Sequence, residues 1–215
     1  MSILGKSYCY KCNLMLFFSP LSIDVIVPQV CYPYNMEAQP KRQEVSADGH
    51  QLLIQNIDRN GSCMFLAVAH QLLGHPPGSR EHQKAAIMIR TVSVSYLLEH
   101  IDAPVFQLPL IGDMTDWHNI GEGLPQIQRF KLYAAKMLHT KMWGGAAALQ
   151  SMAECFSLRI IIYQKHVKIH TVTPSNLEWK NDVHLFFGSS SGSGNVDHYD
   201  SILRVTCNTG DTHSI

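Results

Sequence analysis

The chain has 215 residues, 46% hydrophobic and 16% charged, a composition that fits one globular domain and excludes global disorder. Lysine plus arginine and aspartate plus glutamate balance at 17 each, so no net field gathers nucleic acid or an anionic membrane around the molecule, and neither is expected as a partner. The six cysteines are too few and too scattered for a disulfide-stapled secreted domain, which points to a reducing cytoplasmic setting, with the nucleus as a second place; a monomer is expected.

Residues 1–48 read as an amino-terminal arm. Their apolar stretches are broken by Pro20, Pro28 and Pro33 and follow no clean helical or strand period. Residues 14–23 lie behind Lys6 and Lys11 like the apolar part of a signal peptide, but Ser19 and Pro20 interrupt them and no small-x-small site follows. The stretch is also too short and broken to span a membrane. Cys9 and Cys12, with only Cys31 nearby, do not complete a four-ligand zinc site, so neither metal nor cofactor is expected. Residues 36–48 are polar and suit a linker.

A regular pattern begins near Gln51, and the domain is assigned to residues 49–206, with 207–215 as a tail. Residues 51–57 read as a strand, and 63–73 as a buried helix stopped by Gly74. Ser79 caps a helix over 80–101, with Ala85, Ile89, Val92 and Tyr96 on one face, ending before Pro104. Pro125 takes a first-turn position ahead of a helix that buries Ile127, Phe130, Ala134 and Met137. Trp143, Gly144 and Gly145 break it, and Ala146, Leu149, Met152, Ala153 and Phe156 mark the next helix. Residues 159–163, 167–172 and 183–187 read as strands, and a Gly/Ser turn at 188–195 precedes a further strand opened by His198. Helices first and strands later give an α+β or three-layer arrangement.

Two local features carry chemistry. Asn60, Gly61 and Ser62 form a polar glycine turn that runs directly into the helix at Cys63. Free N–H groups at a helix start stabilise a thiolate and can hold the oxyanion of a tetrahedral intermediate. The same turn also suits a core cysteine that merely opens a buried helix, and the turn alone does not separate the two. The second feature is Asp197, His198, Tyr199 and Asp200. Strand alternation puts His198 and Asp200 on one face, where the carboxylate can fix the imidazole tautomer and leave the other ring nitrogen to take a proton. One histidine among 12 carries little weight, and the pairing with Asp200 supplies it. His70, His75 and His82 straddle a helix end and a Pro76-Pro77 turn and are not read as a metal site, while Cys155 and Cys207 lack any activating neighbour and are read as inert.

The block Asn60-Gly61-Ser62-Cys63-Met64-Phe65 is followed by Trp143-Gly144-Gly145 with Leu149 and Ala153, then Ile160-Ile161-Ile162-Tyr163, then His198-Tyr199-Asp200-Ser201-Ile202. This order resembles the ovarian tumour (OTU) family of deubiquitinating cysteine proteases over about residues 49–205. The resemblance implies an α+β, papain-like cysteine protease fold of OTU type, with helices flanking a small, mainly antiparallel sheet. It implies Cys63 as nucleophile, His198 as base and Asp200 as the orienting residue, with Asn60, Gly61 and Ser62 shaping the oxyanion loop. Trp143, Gly144 and Gly145 are structural residues near the site, Trp143 packing a sheet edge and the glycines permitting close approach. The implied partners are ubiquitin or polyubiquitin conjugates. Asn60 departs from the family's usual aspartate and brings no charge. That departure keeps two alternatives open: a weak or inactive OTU-like ubiquitin-binding module, and a cysteine hydrolase of another ubiquitin-like modifier.

Overall fold

The computed structural model describes residues 6–9, 14–19, 22–26, 42–47, 49–116, 119–139, 141–164, 167–188, 198–207 and 212–214. Cys12, Cys31, most of the linker at 36–48, the Gly/Ser turn beyond Gly188 and Asp197 lie outside the described residues. Within the arm, β1 (Lys6–Cys9), β2 (Leu14–Ser19) and β3 (Ser22–Ile26) pair into an antiparallel sheet of their own. Pro20, Pro28 and Pro33 lie outside the described residues, and backbone pairing does not require the side-chain alternation that was missing from the sequence.

The main sheet contains β4 (Arg42–Ala47), β5 (His50–Gln55), β6 (Leu158–Gln164), β7 (Val167–Val172), β8 (Asn181–Phe187) and β9 (Tyr199–Cys207). Their order is β4-β5-β9-β8-β6-β7, and β10 (Thr212–Ser214) adds to β9. Only the β6–β8 pair is parallel among these pairings. Two segments differ from the sequence reading. Residues 42–47, read as linker from their polarity, form β4 along β5, and residues 212–214, read as tail, form β10.

The helices are α1 (Cys63–Leu73), α2 (Arg80–Glu99), α3 (Pro104–Asp116), α4 (Gln126–Met137) and α5 (Ala146–Phe156). The sequence reading did not include α3, because Pro109 removes an N–H from its middle. The helix nevertheless forms, with Pro104 as its first residue and Phe106, Leu110 and Asp113 buried along one side. In α4, Pro125 is the cap before the first turn, and Tyr133 is buried with Phe130, Ala134 and Met137 while Ile127 is exposed.

α1 is buried from Cys63 through His70 between α2 and the β8/β9 strands. Gly74 ends it with φ +64°, its N–H donating to His70 O at 2.9 Å, and Ser79 Oγ starts α2 by accepting from His82 N at 3.1 Å. Gln71 holds α1 to the sheet where β8 and β9 diverge. Its Nε2 donates to Ile202 O at 2.8 Å and also to His184 O, and its Oε1 accepts from His184 N at 2.7 Å. Alternation in β6 and β8 sends Ile162 and Leu185 toward the helices and Tyr163 and Phe186 into a second cluster with Leu52, Ile54, Ile202 and Val205. Phe65, at the centre of the helical cluster, is fully buried, and its truncation to alanine removes roughly 3–5 kcal/mol.

Candidate active site

The start of α1 and the start of β9 meet. Cys63, the first residue of α1, is 8% exposed, and His198 and Asp200 are 4% and 1% exposed. His198 Nε2 lies 2.9 Å from Asp200 Oδ1, and the same oxygen accepts from the backbone N–H of Ile57 at 2.8 Å. The carboxylate is thus anchored to the chain just ahead of the cysteine turn while it holds the ring. Tyr199, between them in sequence, faces the other way and packs against Phe187 at 4.7 Å. Cys63 also acts on His198, favouring its charged form together with Asp200, and Nε2 is the ring nitrogen that faces Asp200. Burial pulls the His198 pKa down, but the hydrogen bonds to Asp200 and Cys63 and their negative charges outweigh it and push it up to about 9. At neutral pH the imidazole therefore carries its proton, the form that pairs with a thiolate.

The turn before Cys63 is built for close contact. Gly61 has φ +74°, and a Cβ there would stand 2.7 Å from the carbonyl oxygen of Lys141, so this position needs glycine for both conformation and space. Asn60 Oδ1 accepts from Ser62 N at 3.1 Å in an exposed, local turn. This bond lies within the turn, while the His198 ring bonds to Asp200. Ser62 Oγ does not cap α1; it accepts from Arg90 Nη2 at 3.0 Å.

Across the cleft lies the segment 141–146. A cleft of about 340 Å³ is lined by Gly61, Cys63, Tyr133, Trp143, Gly144 and Tyr199, among others. Trp143 is 50% exposed on the connection before α5 and lines this cleft, near which the sequence reading put it as a residue packing the sheet edge. A Cβ on Gly144 would meet Met64 Cε at 2.2 Å, and one on Gly145 would meet the Asp113 carboxylate at 2.3 Å. Asp113 reaches over from α3 and accepts from Ala146 N at 2.7 Å and Ala147 N at 3.0 Å, capping α5 in place of Gly145, which has no side chain.

Sequence reasoning missed Arg90 and Asp113. Arg90 was visible as a charge in the apolar stripe of Ala86, Ile89, Val94 and Leu97, whereas Asp113 sat in an unread helix. Other polar groups have structural roles: His70 Nδ1 lies 2.8 Å from Ser201 Oγ, and His82 Nε2 lies 2.8 Å from Leu66 O. Burial pushes the Cys155 thiol well above its usual range, which leaves it unreactive. Among the described residues, no group of three or more His, Cys, Asp or Glu is placed to hold a metal.

A family model for OTU-like cysteine proteases matches residues 58–199, a span that holds Cys63 and His198 and stops one residue short of Asp200. Deubiquitinase OTUD6B of Homo sapiens is 22% identical over 173 residues, which are 80% of this chain and 52% of the human protein. The chain spans about half the length of that curated relative. An OTU domain solved in complex with ubiquitin shares 18% identity, covering 79% of both chains, with a TM-score of 0.44. The viral OTU domain protease from Dera Ghazi Khan virus shares 13% identity, covering 74% of this chain and 85% of its own, with a TM-score of 0.49.

Proposed function

Because this chain belongs to the OTU-like cysteine proteases, we propose that it hydrolyses the isopeptide bond at the ubiquitin C-terminus through Cys63, His198 and Asp200. One observation carries the reading: the start of α1 sets Cys63 beside His198, whose Nε2 lies 2.9 Å from Asp200 Oδ1, and Cys63 and Asp200 both favour the protonated ring. The Cys63 thiolate attacks the scissile carbonyl carbon, and the N–H groups of the helix start, which lack partners within the helix, stabilise the oxyanion. His198 then gives its proton to the departing lysine amine, leaving a thioester on Cys63. In the second half His198 takes a proton from water, the hydroxide attacks the thioester carbon, the C–S bond breaks to return the Cys63 thiolate beside protonated His198, and the ubiquitin carboxyl group dissociates as the carboxylate, its proton passing to solvent. Asp200 keeps the ring in place and stabilises its charged form throughout.

Ubiquitin as the substrate is supported by the human relative, itself a deubiquitinase. The idea of an inactive module rests on Asn60, and Asn60 bonds to Ser62 N within the turn, while the His198 ring bonds to Asp200. Turnover of ubiquitin carrying a fluorogenic C-terminal amide, beside the same amide on other ubiquitin-like modifiers, tests the reading. Release from ubiquitin by wild type and none by Cys63→Ala is the expected result. Release only from another modifier moves the substrate, and release by Cys63→Ala removes the cysteine mechanism.

A further inference from the structure

Arg90 is an arginine in the middle of a helix, 1% exposed, where the neighbouring buried positions Ala86, Ile89, Val94 and Leu97 are apolar. A buried cation is costly unless fully hydrogen-bonded, and this one is. Its Nη1 donates to Met137 O at 2.7 Å, His139 O at 3.0 Å and Met142 O at 2.8 Å. Its Nη2 donates to Gly61 O at 2.8 Å and Ser62 Oγ at 3.0 Å. The guanidinium also lies over the Phe65 ring, 4.2 Å from its centroid.

Capping the carboxyl end of α4 and holding the connection after it account for the first three bonds, since Met137 O ends the helix while His139 O, which also accepts from Met142 N at 2.9 Å, and Met142 O lie beyond it. They do not account for the other two, which go to the turn immediately before Cys63. The geometry points to Arg90 as the positioning residue of this site: one guanidinium ties the turn that carries Cys63 to the connection that carries Trp143, fixing the oxyanion-binding loop and the width of the cleft. The tie is tight, since Lys141 O sits where any side chain at Gly61 would have to go. Arg90 also sets a permanent positive charge behind the nucleophile. Burial draws its pKa down to about 10 while the charge on Cys63 pulls it back up, so cation and sulfur feel one another. Lysine cannot replace it, because three donors on one nitrogen do not span two separate loops.

This role rests on Cys63 acting as the nucleophile, and the test separates the two claims. Arg90→Met, Arg90→Lys and Ser62→Ala are compared with wild type in the full chain, each checked for folding by circular dichroism. The readouts are the pH dependence of Cys63 alkylation by iodoacetamide, mapped by mass spectrometry, and kcat and KM on the ubiquitin amide. Arg90→Met is expected to lower kcat about 100-fold with a smaller change in KM, as loss of an oxyanion-hole element does. Its Cys63 alkylation profile differs from wild type as the positive charge is lost. Arg90→Lys regains most of the alkylation profile but not kcat. Ser62→Ala lowers kcat on the order of fivefold with an unchanged alkylation midpoint. Folded Arg90 variants that keep wild-type kcat and the wild-type alkylation profile make Arg90 a helix cap only, and overturn the proposal. Should neither Arg90 variant fold, a wild-type kcat in Ser62→Ala overturns it instead. Wild-type Cys63 that alkylates like an ordinary thiol and shows no turnover overturns the nucleophile, and with it this role.

Discussion

His198 and Asp200 sit two residues apart where β9 begins, and extended backbone geometry brings them together, whereas Cys63 owes its place to a turn, a buried arginine and a backbone carbonyl drawn from distant segments. On the histidine side, β9 pairs with β5 and β8, and Asp200 Oδ1 is shared by the ring and Ile57 N. On the cysteine side, Gly61 is pressed against Lys141 O and tied to Arg90. Part of a site that is local in sequence resists remote change, while a part assembled from several segments is sensitive to packing far from the sulfur.

The strongest way to break the histidine side is Asp200→Ala. It should lower turnover by about 10²–10⁴-fold, since the imidazole loses the group that orients it and stabilises its charge. It also leaves Ile57 N–H buried without its acceptor, at about 1–3 kcal/mol in a urea titration. Asp200→Asn is milder on both counts, because an amide oxygen still accepts from the ring. Turnover within severalfold of wild type in Asp200→Ala would give the orienting role to another residue.

Gly61→Ala tests the cysteine side, with Gly74→Ala as its control. Both glycines have positive φ, +74° and +64°, but a Cβ at Gly61 meets Lys141 O at 2.7 Å and one at Gly74 meets nothing within 4 Å. Gly74→Ala should cost only the left-handed strain, about 1–2 kcal/mol, and leave turnover unchanged. Gly61→Ala adds a displacement of the nucleophile loop, and a misplacement on the order of 1 Å is enough to lower turnover about 100-fold. Equal effects on turnover from the two would show that the fit at Gly61 is irrelevant to the chemistry.

The contrast explains what could be read from the sequence. The Asn60 to Cys63 turn and the His198/Asp200 pair are short-range patterns, so residue spacing exposed them. Arg90 acts on Met137, His139 and Met142 as well as on Gly61, and no local pattern announces such partners. The α3 helix was obscured by Pro104 and Pro109, and with it Asp113, whose role appears only when α3 packs beside α5. Residues 42–47 were polar enough to read as linker because an edge strand needs only backbone pairing on one side. Trp143 lines the cleft near which the sequence reading put it, and its half exposure is visible only in the structure.

Solution pH separates the two sides by smaller effects. His198, raised from 6.5 to about 9, contributes stability that is fully present below pH 6.5 and is lost as pH rises through about 9. His82, under α1, is lowered from 6.5, mainly by burial, against the hydrogen bond to Leu66 and with smaller opposing effects of His75 and Asp58. Its contribution is present above pH 6.5 and is lost as pH falls below that value. Urea midpoints across pH should therefore decline on both flanks, with Asp200→Asn flattening the alkaline one and His82→Gln the acidic one. An unchanged acidic flank in His82→Gln would assign it to other groups.

Asn60→Ala is the smallest change. Its oxygen serves an exposed N–H that water can take over, so turnover should stay within about threefold and stability within about 0.5 kcal/mol. A loss to the level of Asp200→Ala would move the orienting role to the turn before Cys63.

The most direct test of the account is reaction of the folded chain with ubiquitin bearing a C-terminal electrophile, under reducing conditions and followed by intact mass. The account predicts one ubiquitin added to wild type, mapped to Cys63, and none added to Cys63→Ala. A folded wild type that forms no adduct, or an adduct that persists in Cys63→Ala, would contradict it.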